Sequence, residues 1–166
     1  WACHLGATVI GTVGSEEMAE LAQAHGCHHT IIYTQEDFVE QVKEITDGKG
    51  VNVVYDAVGK DTFLKGFDGL QPLGTVVLFG ASSGAPDPIN PALLQANGSL
   101  FLTRPSLFNY IAEQETLTQS ALELFDVVST GAVKVEVNQE YRLGNAAESH
   151  RELEGRRTTG ATILIP

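Results

Sequence analysis

Four apolar, β-branched segments recur along the first half of the chain at an almost constant interval. They are ATVIGTV, HHTIIY, VNVVYDAVG and LGTVVLFG, which begin at residues 7, 28, 51 and 73. Their apolar residues run together with little alternation, as in strands that are buried on both faces. Helical patterns that end at glycine or proline fill the intervals, over residues 16–25, 37–46 and 60–70. Strand–helix alternation of this kind predicts parallel strands joined by helical crossovers.

The second half of the chain departs from this plan after Gly84. The segment APDPINPALLQANG contains three prolines and predicts a loop with a short helix, and SLFLTRP predicts a further strand. An amphipathic helix follows over residues 116–129, then strands at VKVEV and EYRLG, a helix over 145–154 and a strand at ATILIP. We therefore predict an α/β, Rossmann-like doubly wound sheet over residues 1–134, and a segment of a second domain over residues 135–166.

A complete dinucleotide-binding fold carries the pattern G-x-G-x-x-G at its first strand–helix turn. Among the 17 glycines the only G-x-G is Gly48–Gly50, and Val53 stands three residues beyond it. We therefore expect the sequence to be a fragment that lacks the first strand and its glycine loop. On this interpretation WACHLGA is the end of the helix that follows them, capped by Gly6, and TVIGTV is the second strand of the fold.

The second strand of such a fold ends beside the ribose of the adenosine. Val13 and Gly14 stand at this end, where an Asp or Glu would bind both ribose hydroxyls and repel a 2′-phosphate. Ser15 is a candidate phosphate ligand or simply the N-cap of the next helix. Tyr33 follows the next strand, where its ring lies against adenine or packs on neighbouring side chains.

Polar and glycine-rich segments end the next two predicted strands. They are DAVG, over Asp56–Gly59, and the stretch Phe79–Gly84 within LFGASSG. Both are expected at the carboxyl edge of the sheet, where open α/β sheets bind ligands, with Ser82 and Ser83 supplying amide and hydroxyl contacts. For Asp56 the sequence favours capping of the following turn over a role as a catalytic base.

Charge limits the partners that the chain can bind through its surface. A formal net charge of −11 argues against nucleic acid and against an anionic membrane, and no apolar run reaches the ~18 residues of a membrane span. Arg104 and the pair Arg156 and Arg157 are local cations that suit phosphate or carboxylate groups, although solvated arginines are commoner.

Cysteine usage predicts a reducing, cytoplasmic setting, because two cysteines form no disulfide framework. The neighbouring residues Cys27, His28 and His29 suggest a metal site at first sight. However, adjacent side chains cannot easily face one ion together, and no further ligand stands at a suitable spacing. We therefore predict no metal site.

Five segments, taken together, resemble the zeta-crystallin-like reductases. These form the quinone oxidoreductase branch of the medium-chain dehydrogenase/reductase superfamily. The similar segments are GTVGSEE, VVYDAVGKDTF, LQPLGTVVLFGASSG, SLFLTRPSL and RRTTGATILIP. The resemblance implies a reductase about twice this length that transfers hydride from NADPH to quinones or similar conjugated carbonyls without catalytic zinc. Two alternatives stay open, which are an enoyl or alkenal reductase of the same superfamily and a non-catalytic Rossmann-like scaffold.

The resemblance also implies which residues bind the cofactor, and it supplies no catalytic residue within this chain. They are the ribose-phosphate turn Gly14 and Ser15, the adenine-side Tyr33, the nicotinamide-side Phe79 and Ser82, and the arginines Arg104 and Arg156. Met18 stands where relatives carry a lysine for the 2′-phosphate, so NADH stays open beside NADPH. The strand around Leu100–Leu102 is implied to pair across a homodimer.

Overall fold

The computed structural model describes residues 1–155 and 157–166, which divide into two compact units. The larger unit is Ala2–Thr118, and the smaller is Gln119–Pro166 together with Trp1. The predicted domain boundary between residues 134 and 135 concerns the longer protein and stays a prediction. No helix within the described residues combines the length and apolar character that crossing a membrane requires.

The larger unit is built from alternating strands and helices, and every strand pair in it is parallel. In chain order the elements are β1 (Ile10–Val13), α1 (Glu16–Ala24), β2 (His29–Ile32), α2 (Phe38–Ile45), β3 (Val51–Asp56), α3 (Phe63–Gly66), β4 (Leu70–Leu78), α4 (Ala92–Ala96), β5 (Phe101–Thr103), α5 (Leu107–Tyr110) and α6 (Gln114–Ser129). The last helix, α6, runs across the division between the units. The predicted Rossmann-like α/β class with parallel strands is confirmed.

The strands of this unit form two separate sheets. One has the order β1–β2, and the other has the order β3–β4–β5. Among the described residues, β1 and β3 each have one edge that no strand pairs with. The side chains of Val53 and Tyr55 on β3 are exposed, Tyr55 to 73%. Apolar runs of this kind normally belong to sheets that are buried on both faces. The face of β3 that carries Val53 and Tyr55 is instead exposed.

The core of the larger unit lies against the three-stranded sheet. Its buried side chains are Phe63, Phe67, Leu70, Val76, Leu78 and Leu100. The rings of Phe63 and Phe67 pack edge to face, with centroids 5.0 Å apart. Val76 is fully buried in the middle of β4. This packing fixes β3 and β4 side by side and therefore fixes where their carboxyl ends lie.

Two segments of the larger unit differ in the structure from what the sequence predicts. The helix predicted over 60–70 is reduced to α3 and a single 3₁₀ turn over Phe67–Gly69. Gly66 and Gly69 lower the helix propensity of this stretch, and Thr62 is held by a side-chain hydrogen bond to Asp56. The segment WACHLGA forms turns rather than a helix.

The predicted cap at Gly6 is nevertheless present. Gly6 has φ +85°, its N–H donates to the carbonyl of Cys3, and the N–H of Ala7 donates to the carbonyl of Ala2. This pair of bonds is the Schellman arrangement that closes the carboxyl end of a helical turn.

Asp37 is the N-cap of helix α2. The carboxylate of Asp37 accepts from the backbone N–H groups of Val39 and Glu40, and its Oδ2 also accepts from Lys65 Nζ at 2.6 Å. The hydrogen bond from Lys65, followed by those from the backbone, lowers the pKa of Asp37 below its usual value. The larger unit thus links α2 to α3 through one ion pair at the surface.

The smaller unit contains one strand–helix–strand crossover. It comprises β6 (Val137–Arg142), a 3₁₀ turn over Leu143–Asn145, α7 (Ala146–Glu154) and β7 (Ala161–Ile165), with β6 parallel to β7. The two strands predicted at VKVEV and EYRLG are one strand, because residues 133–136 lie outside it. The hydrogen bond from Arg157 lowers the pKa of Glu152, and Glu152 in turn raises the pKa of Arg157.

Candidate functional site

The turn between β1 and α1 is the first of two places where predicted cofactor contacts lie. Ser15 has extended backbone angles and its Oγ accepts from the N–H of Met18 at 3.3 Å, so it is the N-cap of α1. Its hydroxyl hydrogen remains able to donate to a ligand, because capping uses only a lone pair. Ser15 is exposed and Met18 is half-buried. Capping and ligand binding are therefore compatible at Ser15.

Tyr33 closes the side of this turn. A Cβ added to Gly14 would stand 3.2 Å from the Tyr33 hydroxyl oxygen, so the ring end lies directly against the Gly14 backbone. The N–H of Tyr33 donates to the carbonyl of Val13, and Thr34 Oγ1 donates to the carbonyl of Gly14 at 3.1 Å. The packing alternative for Tyr33 is thus observed, while 49% of the residue remains exposed. The contact of Tyr33 with adenine stays a prediction.

The second place is the carboxyl end of β3, where Asp56 organises the following loop. Its carboxylate is buried and accepts from the N–H groups of Val58 at 2.7 Å and Gly59 at 2.9 Å. Thr62 Oγ1 donates to the same carboxylate. The predicted capping role of Asp56 is confirmed, and all of these bonds lie within its own loop.

The loop after β4 continues the strand pairing beyond the ends of β3 and β4. The N–H of Phe79 donates to the carbonyl of Asp56, that of Ser82 to Ala57 and that of Ser83 to Val58. The ring of Phe79 is 58% exposed beside this paired backbone. The loops after β3 and β4 are therefore joined by backbone hydrogen bonds.

Ser82 and Ser83 have different roles in this loop. The hydroxyl of Ser83 donates to the carbonyl of Val58 and accepts from the N–H of Asp61, so its hydrogen is not available to donate to a ligand. Ser82 is exposed, and its hydroxyl has no hydrogen-bond partner among residues 1–155 and 157–166. The backbone N–H groups of Ser82 and Ser83 are already bonded to the loop after β3, so the predicted amide contacts with a ligand are not available in this structure. The Ser82 hydroxyl remains a candidate.

The arginines are the least defined part of the predicted site. Arg104 follows β5, is exposed, and forms no ion pair or hydrogen bond with any described residue. Arg156 lies outside the described residues. Sequence reasoning missed Thr34 and Thr62, whose hydroxyls hold the two strand-end turns. The available signal was a threonine within the turn that follows a strand, and it is a weak one.

The cysteine and histidine side chains near β2 bond to backbone atoms. Cys27 Sγ lies 2.9 Å from the carbonyl oxygen of His29, and the N–H of Val9 donates to His28 Nδ1. Within the described residues, no three His, Cys, Asp or Glu side chains stand together as metal ligands would. The residues present therefore do not fit a zinc ion.

Comparison with known proteins gives a family and several similar reductases. The family model described as zinc-binding dehydrogenase matches residues 1–126. The chain is 48% identical to a 2-haloacrylate reductase of Burkholderia sp and 48% identical to quinone oxidoreductase 1 of Escherichia coli, with all of the chain aligned. It covers 50% and 51% of these two proteins, respectively, and so spans about half the length of the curated relatives it matches.

Solved structures agree with this similarity. The chain superposes on Escherichia coli quinone oxidoreductase in complex with NADPH with a TM-score of 0.94, covering all of the chain and 52% of that structure. A Pseudomonas syringae quinone oxidoreductase gives a TM-score of 0.95 at 46% identity, with 51% of that structure covered. The resemblance to quinone oxidoreductases inferred from the quoted segments is confirmed.

Proposed function

Because the chain belongs to the zinc-binding dehydrogenase family, we propose that it is the cofactor-binding part of a longer, NADPH-dependent reductase that transfers hydride to quinones. The observation that carries the proposal is the turn after β1, where Val13 ends the strand without a carboxylate and the side chain of Ser15 is exposed. An Asp or Glu at that end would repel a 2′-phosphate. Similarity over the whole chain to an NADPH-bound quinone oxidoreductase supports it.

The turn after β1 would bind the adenosine half of the cofactor. The Ser15 hydroxyl would donate to the 2′-phosphate, with the first N–H groups of α1 directed at the same charge. Tyr33 would cover the adenine side from its position against Gly14. Arg104 and Arg156 would add positive charge in a strongly acidic chain.

The paired loops after β3 and β4 would hold the nicotinamide half. The exposed ring of Phe79 offers a flat apolar surface, and the unpaired hydroxyl of Ser82 offers one hydrogen bond. The cofactor supplies the hydride, and the work of the protein is to hold donor and acceptor in contact away from water. Transfer without catalytic zinc is part of this proposal because the resemblance to the zeta-crystallin-like reductases implies it.

A second candidate function is reduction of a conjugated carbon–carbon double bond, as in an enoyl or alkenal reductase. The 48% identity to a 2-haloacrylate reductase favours it, and the same cofactor platform would serve both reactions. The third alternative, a scaffold without catalysis, predicts that no reduced nicotinamide cofactor binds.

We also propose a cytoplasmic setting and a homodimer, which two further observations support. Both cysteines, Cys3 and Cys27, are free thiols, in keeping with a reducing cytoplasm. The strand β5 pairs with β4 on one side only among the described residues, and Phe101 and Leu102 beside its free edge are exposed. We infer that two copies pair through this edge, because an open apolar edge strand is a template for another strand.

The test is steady-state oxidation of NADPH by the full-length protein with three acceptors in parallel. A 1,4-quinone, a 2-haloacrylate and an alkenal separate the candidate substrates, and NADH in place of NADPH separates the cofactors. Quinone-dependent oxidation of NADPH supports the first proposal. Turnover with the acrylate or alkenal alone supports the second. A protein that is not stabilised against heat by either cofactor supports the scaffold.

A further inference from the structure

The hydroxyl of Ser83 joins two loops that are separated by about 25 residues of chain. It donates to the carbonyl of Val58 at 2.8 Å and accepts from the N–H of Asp61 at 3.1 Å. Both partners belong to the loop after β3, whereas Ser83 belongs to the loop after β4. One half-buried side chain therefore makes both hydrogen bonds between the loops that involve a side chain.

Backbone hydrogen bonds and close backbone contacts around Ser83 hold the two loops against each other. The N–H of Lys60 donates to the carbonyl of Gly84 at 3.0 Å, and that of Ser83 donates to Val58 at 2.9 Å. A Cβ on Gly59 would stand 2.6 Å from the Gly84 carbonyl oxygen, and one on Gly80 would overlap the carbonyl of Ala57. The two loops thus touch backbone to backbone, which only glycine permits at these points.

The loop after β3 is anchored from its other side by Asp56. The buried carboxylate accepts from the N–H groups of Val58 and Gly59. The Ser83 hydroxyl donates to the carbonyl of Val58 in the same stretch. Val58 is therefore held at both its N–H and its C=O. With the first loop fixed in this way, Ser83 transmits that position to the loop that carries Phe79 and Ser82.

We propose that Ser83 is a positioning residue for hydride transfer, which sets Phe79 and Ser82 at the nicotinamide without touching the cofactor. The proposal rests on the proposed function. A donor that is displaced by about 1 Å from its acceptor loses up to a hundredfold in rate, whereas binding through the adenosine half is unaffected. Ser83 therefore acts on kcat, and its loss leaves the affinity for NADPH nearly unchanged.

The experiment compares Ser83→Ala and Ser83→Thr with the wild type in the full-length protein, using NADPH and a quinone. Ser83→Ala removes both side-chain hydrogen bonds between the loops and leaves the backbone bonds, whereas Ser83→Thr keeps the hydroxyl. Ser129→Ala is the matched control, because it removes a serine hydroxyl that bonds only to the carbonyl of Asp126 at the end of α6. The readouts are kcat, the KM for NADPH and the deuterium isotope effect with NADPH labelled at C4 of the nicotinamide.

We expect Ser83→Ala to lower kcat at least about tenfold with less than about a threefold change in KM, and to raise the isotope effect, since a poorly placed donor makes the chemical step limiting. Ser83→Thr should recover most of kcat, and Ser129→Ala should match the wild type. Equal kcat in Ser83→Ala and wild type overturns the positioning role while leaving the proposed function intact. An equal loss in a folded Ser83→Thr protein also overturns it. A wild type that does not oxidise NADPH overturns both proposals.

Discussion

Thr62 Oγ1 lies 3.0 Å from one carboxylate oxygen of Asp56 and 2.9 Å from the other, within a carboxylate that also accepts two backbone N–H groups. Asp56 is only 6% exposed. The hydrogen bonds of this buried carboxylate are all made within its own loop, so Asp56 contributes to the stability of the folded structure.

Removal of the Asp56 carboxylate is expected to destabilise the protein. In Asp56→Ala the N–H of Gly59 loses its acceptor in a buried place and that of Val58 in a partly buried one, and an unmet buried donor costs about 1–3 kcal/mol. We expect about 3 kcal/mol less stability, measured as a lower thermal midpoint of the full-length protein. Asp87→Ala, which removes an exposed carboxylate, should change stability by less than about 0.5 kcal/mol. Equal midpoints for the two variants would contradict this role of Asp56.

The ion pair between Asp37 and Lys65 is expected to make stability depend on acid pH. The hydrogen bond from Lys65 lowers the pKa of Asp37 in the folded protein below its usual value of 3.8. The folded state therefore binds the proton less readily than the unfolded state. The stabilisation is complete above the unfolded pKa and disappears as the pH falls through the folded pKa.

The measurement is the thermal midpoint between pH 6 and pH 2.5 for wild type and Asp37→Asn. Asparagine also caps helices but cannot ionise, so the variant should lose less of its midpoint below about pH 4. Asp68→Asn removes an exposed carboxylate that forms no ion pair within the described residues, and should keep the wild-type profile. Profiles that coincide for all three proteins would be evidence against the Asp37 contribution.

Much of the fold follows from local patterns in the sequence. The caps at Ser15 and Gly6 and the capping role of Asp56 depend on interactions within a few residues, and the apolar strand segments and their spacing can be read directly from the sequence. The short α3 cannot, because its boundary is set by the bond between Thr62 and Asp56 together with two glycines.

The different roles of Ser82 and Ser83 cannot be predicted from the sequence for a similar reason. Two adjacent serines in a glycine-rich loop are equivalent by composition. Only the register of β3 against β4 places Ser83 opposite Val58 and leaves Ser82 without a partner. Contacts between loops that are distant in sequence depend on the folded sheet, and they were therefore missed.

The free edge of β5 is expected to mediate dimer formation. In Phe101→Lys a charge is added beside that edge, where charged side chains prevent strand pairing. Sedimentation velocity of the full-length protein should show a dimer for wild type and a monomer for this variant. Leu73→Lys is the control, because Leu73 is similarly exposed, at 66% against 59%, but lies near the start of β4. A wild type that sediments only as a monomer would contradict the proposed assembly.

Met18 is expected to weaken discrimination between the two cofactors. It lies in the first turn of α1, next to the capped end, where a lysine would pair with a 2′-phosphate. Met18→Lys should tighten NADPH binding about tenfold, the value of a hydrogen bond to a charged group, and leave NADH unchanged. Ala24→Lys adds the same charge at the other end of α1 and should have little effect. Equal gains in the two variants would indicate a general charge effect instead.

The central claim is that the turn after β1 binds the 2′-phosphate of NADPH, and Ser15→Asp tests it most directly. Aspartate caps a helix as well as serine does, so α1 and the thermal midpoint should be retained. Its charge repels the 2′-phosphate, while its oxygens accept from the two ribose hydroxyls of NADH. The measurement is the dissociation constant of the full-length protein for each cofactor by nicotinamide fluorescence. We predict at least about a tenfold loss for NADPH and none for NADH; an unchanged NADPH affinity in the folded variant would contradict the account.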